Sequence, residues 1–337
     1  MASSLSSSIR SALQRLQTGS VSPPVEVLWA SHPSWPLSNG IPSSVLRTIR
    51  ISVLDSSFNP PTLAHSALAD TPALGSSEDR SEAGAEGSEY DAKLLLLSVR
   101  NADKQLKSGD ATYVQRVEMM IELAKDLQES HCSTSAGNVC SVRCPSVAVA
   151  IIDEPTFVGK SRLLQAFLRE KLQNQPSPPE TQLTFLLGYD TLERLFAPKY
   201  YGSSEEKMYR ALRGDNHGDN SRVICARRSP SSYPHSAMPP PNTPSASSSD
   251  PISLSRTISS FLASSALPPS CVTMVDIGED VWNVSSSEVR EGVRKESEVA
   301  DDPTGAGSEV KSGIEHRWRG MVTERVRKYI IEHGLYR

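Results

Sequence analysis

The chain has 337 residues, a formal net charge of −4 at pH 7 and a hydrophobic fraction of 37%. It lacks the basic surplus of proteins that bind nucleic-acid polymers, and no apolar run approaches the ~20 residues that span a bilayer. The five cysteines are an odd number in a long chain and predict no disulfide framework, and their spacing near His131 fits no zinc site.

Residues 1–47 are predicted to form an N-terminal extension that contains a helix. The first 25 residues carry two arginines, many serines and no acidic residue, which is typical of a mitochondrial transit peptide. The same stretch places Ile9, Leu13 and Leu16 on one helix face, and we favour the helix. The segment VEVLWASHPSW, which includes Trp29 and Trp35, is interpreted as packing over the sheet edge rather than as part of a site.

Residues 48–337 alternate between apolar runs and helical patterns. Six runs are rich in aliphatic and β-branched residues: RTIRISVLD, KLLLLSV, PSVAVAII, QLTFLLG, SRVICAR and CVTMVDI. Most are continuously apolar, as strands that are covered on both faces must be. YVQRVEMMIELAKDLQ and KSRLLQAFLREKLQ each carry an apolar stripe with helical spacing. The alternation predicts an α/β fold with a doubly wound parallel sheet, whose ligands bind beyond the carboxyl ends of the strands.

Three stretches of low complexity interrupt this pattern. They are small and acidic, or rich in serine and proline, and they cover residues 70–91, 229–266 and 295–313. Such segments bury too little apolar surface to offset the entropy of ordering the chain. We predict that they are disordered insertions in a single domain.

The first candidate site is the corner SFNPPTLAH, Ser57 to His65, which follows the first long apolar run. The two prolines restrict the backbone, and a helix can open at Thr62. Thr62 and His65 are three residues apart and share a helix face. A helix that begins at the binding edge of the sheet favours an anion, although a proline turn with an exposed histidine is the simpler alternative.

The second candidate site is the segment VWNVSSSEVREG, residues 281–292. Ser285 or Ser286 can cap a short helix. Arg290 lies about one turn further on, where a guanidinium can bind phosphate oxygens in a bidentate manner. The alternative is a capped helix with a surface arginine.

Together the two segments resemble the nucleotidylyltransferase superfamily, which has an S-F-[ND]-P-x-[HT]-x-x-H corner after its first strand and a late [IV]-S-S-[TS]-x-x-R loop. Thr62, in place of the first histidine, resembles the eukaryotic nicotinamide-mononucleotide adenylyltransferase branch, and its fungal, cytidylyltransferase-like members are the nearest match. YVQRVEMMIELA, FLLGYDTLERLFAPKYY, VICARRS and VRKYIIEHGLYR are similar to further segments of that family. The resemblance implies a Rossmann-like nucleotidylyltransferase fold.

The resemblance also implies an ATP site, and within it His65 and Arg290 as the catalytic pair that binds the phosphates and stabilises departing pyrophosphate. The residues that match the family's ATP-binding positions are Ser57, Phe58, Thr62, His65, Gly188, Asp190, Arg228, Ser285, Ser286 and Arg290.

A second set of positions is implied to bind the mononucleotide: Asn59, Lys104, Lys107, Phe157 and Tyr201. Either Lys104 or Lys107 would meet its phosphate, the alternative being a solvated loop charge. Tyr201 would stack on the nicotinamide ring. Phe157 lies close to the family's second aromatic position.

The implied reaction joins ATP to nicotinamide mononucleotide, or also to its nicotinic acid form, and yields NAD and pyrophosphate. Mg²⁺ would arrive with ATP and bridge phosphate oxygens, with no metal site made by the protein alone. Two alternatives remain: a transferase or ATPase of the same fold that uses another acceptor, and a non-catalytic nucleotide-binding regulator. The resemblance also allows a homo-oligomer and places the protein in the cytoplasm or nucleus, with the mitochondrion as a minor alternative.

One position departs from the family pattern. Ser56 stands where the family usually has glycine, which lets the backbone approach the ATP phosphates closely. Its Cβ is expected to push the nucleotide outward or to require a different turn.

Overall fold

The computed structural model describes residues 2–37, 48–73, 89–100, 109–133, 145–201, 205–214, 218–227, 259–260, 262–263, 267–300 and 317–337. The central parts of the three predicted insertions, residues 74–88, 228–258 and 301–316, lie outside the described residues.

One seven-stranded sheet organises the chain, and its strands are ordered β1-β4-β3-β2-β5-β6-β7. Neighbouring strands from β4 to β7 are parallel, whereas β1 is antiparallel to β4. All six predicted apolar runs form strands. The bounds are β1 Val25–Ala30, β2 Ile49–Asp55, β3 Ala92–Ser98, β4 Ser146–Ile152, β5 Thr181–Leu187, β6 Arg222–Ala226 and β7 Val272–Val275.

Helices cover both faces of this sheet, which confirms the doubly wound α/β prediction. Residues of α1, α2, α3, α7 and α8 build the core on one face, and residues of α4 and α5 build it on the other. Short 3₁₀ segments lie at Pro198–Tyr201, Pro269–Cys271 and Arg317–Met321. The α-helices are α1 Ala2–Gln17, α2 Leu63–Ala69, α3 Tyr113–Ser133, α4 Phe157–Leu172, α5 Tyr189–Leu195, α6 Glu205–Arg210, α7 Ser286–Ala300 and α8 Glu324–Glu332.

The N-terminal extension is part of this domain, so the predicted division at residue 48 is corrected. The helix prediction for its first residues is confirmed, because α1 buries Ile9, Leu13 and Leu16 in the core. Beyond α1, strand β1 pairs with β4 from Val25 opposite Ile152 to Ala30 opposite Ala148. The edge strand was not predicted, since its sequence, VEVLWA, lies in a segment rich in serine and proline.

The predicted insertions were drawn too wide at their ends. Asp70 ends α2 and receives a hydrogen bond from the buried Lys93 at 2.8 Å. Tyr90 is buried, and the Asp91 carboxylate accepts the Arg50 backbone N–H at 2.9 Å. Residues 295–300 continue α7, and Leu262 is buried within the segment 229–266. These ends are anchored because each contributes a buried side chain, a buried ion pair or a helical turn.

The order of the strands produces one switch point, between β2 and β5. From β2 the chain continues to β3 and β4 on one side, and from β5 to β6 and β7 on the other. In sheets of this kind the crevice beyond the carboxyl ends at the switch point is the usual ligand site. The corner that begins at Ser56 follows β2, and Gly188 follows β5, so two predicted site segments lie at this crevice.

Within the ranges given above, none of the helices has the length and apolar character required to cross a membrane.

Candidate functional site

The corner after β2 is folded around a buried phenylalanine. Phe58 is fully buried and has a φ of 45°, a left-handed conformation that bulky residues rarely adopt. Its ring centroid lies 5.2 Å from that of His65, so the backbone of Phe58 rather than its side chain can face a ligand. Ser57 is exposed, and its carbonyl accepts a hydrogen bond from Arg116 Nη1 at 3.4 Å.

His65 lies in the first turn of α2, and both of its ring nitrogens are engaged. Nδ1 accepts the Thr62 backbone N–H at 3.1 Å and lies 2.8 Å from Thr62 Oγ1, while Nε2 lies 2.9 Å from Ser56 Oγ. Because Nδ1 accepts a backbone N–H, a neutral ring carries its proton on Nε2. Burial lowers the pKa of His65 to about 4. The ring is therefore a neutral hydrogen-bond donor at pH 7, and it is held by both Thr62 and Ser56.

Helix α7 begins with a capping box that Ser285 and Glu288 form. Ser285 Oγ accepts the Glu288 backbone N–H at 3.2 Å, and the Glu288 carboxylate accepts the Ser285 backbone N–H at 3.1 Å. This S-x-x-E arrangement satisfies two donors that a helix start otherwise leaves unpaired. Of the two caps that the sequence allowed, Ser285 is the one used. Ser286 is thereby left for a contact elsewhere in the fold.

The two candidate segments meet, although more than 200 residues separate them in the chain. Ser286 Oγ donates to the Pro60 carbonyl at 2.7 Å, and Arg290 Nη1 donates to the Asn59 carbonyl at 2.5 Å. Helix α7 thus lies directly against the corner that carries His65. The predicted meeting of these two helix starts at one place is confirmed by these contacts.

A third segment joins the same corner, through the side chain of Asn59. Its Nδ2 donates to Asp110 Oδ1 at 2.8 Å, and its Oδ1 accepts both the Ala111 backbone N–H at 3.2 Å and the Tyr336 hydroxyl at 2.9 Å. Asn59 was predicted to bind the mononucleotide. The structure instead places its amide in an internal network, with both side-chain polar atoms engaged.

Two guanidinium groups flank Asp110 in this network. Arg116 Nη2 lies 3.5 Å from Asp110 Oδ2, and Arg290 Nε lies 3.8 Å from Asp110 Oδ1. Burial lowers the pKa of Arg116, an effect that Asp110 opposes. One carboxylate between two arginines leaves the corner with a surplus of positive charge, which suits a polyanion.

An additional buried ion pair lies at the carboxyl end of β2. Lys160 Nζ of α4 is 2.6 Å from Asp55 Oδ2, and each side chain is 9% exposed. Asp55 immediately precedes Ser56, so this pair fixes the end of the strand from which the corner departs. Neither Asp55 nor Lys160 was singled out by sequence reasoning, because their pairing spans 105 residues.

Gly188 opens α5 at the neighbouring strand end. It is exposed, and its carbonyl accepts the backbone N–H groups of Thr191 and Leu192. A Cβ built on Gly188 meets no atom within 4 Å, so the space above this residue is open to a ligand. Asp190 lies in the first turn of α5, and its side chain is outside the described part of the chain.

The two aromatics that were predicted to contact the pyridine ring are buried. Phe157 is 8% exposed and packs edge to face on Phe185 at 4.7 Å between centroids. Tyr201 is 6% exposed, and burial raises the pKa of its hydroxyl. The structure therefore places Phe157 and Tyr201 in the hydrophobic core instead of at an open stacking surface.

Three predicted site residues, Lys104, Lys107 and Arg228, lie outside the described residues. Among the residues that the structure does describe, no three His, Cys, Asp or Glu side chains are grouped to hold a metal ion.

Sequence comparison gives one partial match. No protein-family model matches the chain. A Schizosaccharomyces pombe protein named "Putative nicotinamide mononucleotide adenylyltransferase" is 32% identical over 162 residues, which are 48% of this chain and 47% of that relative. The chain thus spans about half the length of the curated relative that it matches. This similarity confirms the resemblance predicted from the motifs.

Two solved structures were also compared with the chain. They are those of Plasmodium falciparum nicotinic acid mononucleotide adenylyltransferase, complexed with NaAD and with APC. Both are 14% identical to this chain, with TM-scores of 0.41 and 0.40. Both cover 85% of this chain, and the shares of the Plasmodium chains that are covered are 97% and 96%.

Proposed function

We propose that this protein transfers the adenylyl group of ATP to a pyridine mononucleotide, nicotinamide mononucleotide first and its nicotinic acid form second, and so belongs to the nucleotidylyltransferases. A phosphate oxygen of the mononucleotide attacks the α-phosphorus of ATP, the bond to the β-phosphate oxygen breaks, and pyrophosphate leaves. NAD, or its nicotinic acid counterpart, is the product.

The observation that carries this proposal is the contact between the two distant phosphate motifs at the switch point. Arg290 donates to the Asn59 carbonyl and Ser286 to the Pro60 carbonyl, so a guanidinium, two helix starts and an imidazole share one corner. Phosphoryl transfer needs little covalent work from a protein. It needs aligned polyanions and stabilisation of the leaving group.

The roles follow from the atoms that face this corner. Neutral His65 offers Nε2–H to an ATP phosphate oxygen when Ser56 Oγ gives way. Arg290 neutralises charge that develops on the departing pyrophosphate. The backbone at Gly188, open above its Cα, approaches the nucleotide, with Asp190 as the ribose partner. Lys104 or Lys107 binds the mononucleotide phosphate, and Arg228 adds a further cation for ATP.

Mg²⁺ enters this scheme bound to ATP, where it supplies charge neutralisation on the phosphates. The donors at the corner fit that role, because Asp110 is flanked by Arg116 and Arg290 and forms no carboxylate cluster that would hold the ion by itself. The protein's own cations bind and orient the triphosphate.

The test is a screen of pyrophosphate release from Mg-ATP with different acceptors. Wild-type protein is expected to form NAD from nicotinamide mononucleotide, and the product is identified by chromatography. Absence of dinucleotide with both pyridine mononucleotides would overturn the proposal.

The matched variants are Arg290→Ala and Arg294→Ala on the same helix. Arg290→Ala should lower kcat by about 100-fold or more, in line with the loss of one group that stabilises a developing charge. Arg294 pairs with Glu291 and Glu298 at the surface, and its loss should leave kcat within about twofold, because exposed ion pairs contribute little. Equal losses in the two variants would contradict the role given to Arg290.

A second candidate function is transfer to a phosphorylated acceptor that is not a pyridine nucleotide. The burial of Phe157 and Tyr201 favours it, because neither ring offers a face to stack on a pyridinium ring in this structure. The same screen decides between the two, since this alternative predicts pyrophosphate release with acceptors such as cytidine or sugar phosphates and none with nicotinamide mononucleotide.

A further inference from the structure

The chain terminus reaches the proposed phosphate corner through a defined turn. Helix α8 ends in a Schellman motif, in which Gly334 donates to the Ile331 carbonyl at 3.2 Å and Leu335 donates to the Ile330 carbonyl at 3.1 Å. Gly334 has a φ of +58°, the left-handed conformation this motif requires at that position. The turn reverses the chain and directs the last residues back into the fold.

Both residues after the turn are buried, and only one carries a polar group. Leu335 and Tyr336 are each 7% exposed and belong to the core beside α3 and α7. Burial raises the pKa of the Tyr336 hydroxyl, so this group stays protonated and acts as a donor. A buried hydroxyl needs a partner, and the partner of Tyr336 is Asn59 Oδ1 at 2.9 Å.

The position of Asn59 determines what this bond can control. The Asn59 carbonyl binds Arg290, while its side-chain amide binds Asp110 and the Ala111 backbone. Residues 110 and 111 in turn close the segment 101–108, which carries Lys104 and Lys107. One side chain therefore joins the late phosphate motif to the entry of α3.

We propose that Tyr336 is a positioning residue for this corner: its hydroxyl fixes the orientation of the Asn59 amide, and through it the Asp110 carboxylate and the Arg290 guanidinium. Tyr336 touches no substrate in this assignment. Its catalytic role rests on the proposed function, whereas the structural link from the C-terminus to residues 110–111 does not.

The test compares Tyr336→Phe with Tyr329→Phe in the full-length chain. Both changes remove one hydroxyl hydrogen bond near the C-terminus, but Tyr329 donates to Glu118 of α3, away from the corner. Tyr336→Phe should speed hydrogen exchange at the Ala111 amide, and lower kcat/KM, by about threefold to tenfold, the equivalent of one hydrogen bond. Tyr329→Phe should change neither measurement by more than about twofold, because its bond does not reach the corner.

A second measurement separates positioning from loss of stability. In an Asn59→Ala background, Tyr336→Phe should have no further effect on kcat/KM, because the bond through which it acts is already gone. Exchange at β4 amides should be the same in Tyr336→Phe and Tyr329→Phe. Equal exchange at Ala111 in the two variants, or additive losses in the double variant, would overturn the inference. If the wild type forms no product, the proposed function fails while the exchange comparison still decides the role of Tyr336.

Discussion

At the scale of single residues, His65 shows how burial assigns chemistry to a common side chain. Its Nδ1 accepts the Thr62 backbone N–H, and its Nε2 lies against Ser56 Oγ, so the ring cannot take a second proton without losing a bond. Ser56 Oγ sits where a phosphate oxygen would accept the Nε2 proton. The departure from glycine at this position therefore places a competing hydroxyl at the site, an effect distinct from the extra bulk of its Cβ.

The neutral state of His65 predicts a pH dependence of stability. Burial lowers its folded-state pKa to about 4, below the ordinary value near 6.5, so between these pH values the unfolded chain binds more protons than the folded one. The free energy of unfolding should therefore fall as pH drops from 6.5 to 4, with a contribution from His65 of at most roughly 1.4 kcal/mol per pH unit. Denaturant unfolding at several pH values measures this slope.

The variant His65→Gln removes this proton linkage. The difference in unfolding free energy between wild type and His65→Gln should shrink as pH falls through that window. His333→Gln, which changes an exposed histidine at the end of α8, serves as the matched control and should keep the wild-type dependence on His65. Parallel curves for wild type and His65→Gln would show that the ring is not held neutral by burial.

At the scale of elements, the start of α7 combines two opposing demands. The Glu288 carboxylate accepts from the backbone N–H and the hydroxyl of Ser285, and a negative charge at a helix N-terminus stabilises the helix. The same donors were predicted to hold the β- and γ-phosphates. A bound triphosphate must then displace or approach a carboxylate of its own sign.

The variant Glu288→Gln should separate these demands. Glutamine can still complete the capping box, while the loss of the charge should reduce the unfolding free energy by about 0.3–1 kcal/mol and lower the KM for Mg-ATP about twofold to fivefold. Glu291→Gln changes an exposed carboxylate one turn later that pairs with Arg294 and Lys295, and it should leave KM unchanged. Thermal unfolding and steady-state kinetics supply the two readouts, and an unchanged or raised KM in Glu288→Gln would contradict the competition.

The same elements show what could be predicted from the sequence. The continuous apolar runs β2 to β7 were identified because a strand that is buried on both faces has no other composition. The S-S-S-E segment announced its cap because capping is local. Asp110, Tyr336 and the pair of Asp55 with Lys160 were missed because their partners lie 51, 277 and 105 residues away. Phe157 was misplaced because an aromatic near a site and an aromatic in the core have the same sequence signature.

At the scale of the whole molecule, the N-terminal extension completes the sheet instead of decorating it. Strand β1 covers the edge of β4, and the pairing continues as Ser31 donates its backbone N–H to the Val147 carbonyl at 2.8 Å. Helix α1 lies over α3, where Ser6 donates to Glu118. Without residues 1–37, β4 would present an unpaired edge, and the apolar face of α3 would meet water.

A chain that begins at residue 48 is therefore expected not to fold stably. The side chains of Ile9, Leu13 and Leu16 are each 8% exposed or less, and burying one such side chain contributes roughly 1.5–3 kcal/mol. Their sum, with the lost strand pairing, approaches the whole stability of a typical domain, about 5–15 kcal/mol. Soluble yield and denaturant unfolding of the shortened chain measure this dependence, and a shortened chain that unfolds cooperatively at the wild-type midpoint would refute it.

A point variant tests the same idea without removing an element. Ile9→Ala should lower the free energy of unfolding by about 2–5 kcal/mol, the usual cost of emptying a fully buried aliphatic site. Arg10→Ala, at the exposed neighbouring position, should change it by less than about 0.5 kcal/mol. Because α1 lies on α3 and β1 rather than on the corner at Asn59, nucleotide binding by the folded fraction of Ile9→Ala should equal that of wild type. A variant that lost binding while keeping its stability would instead make the extension part of the site.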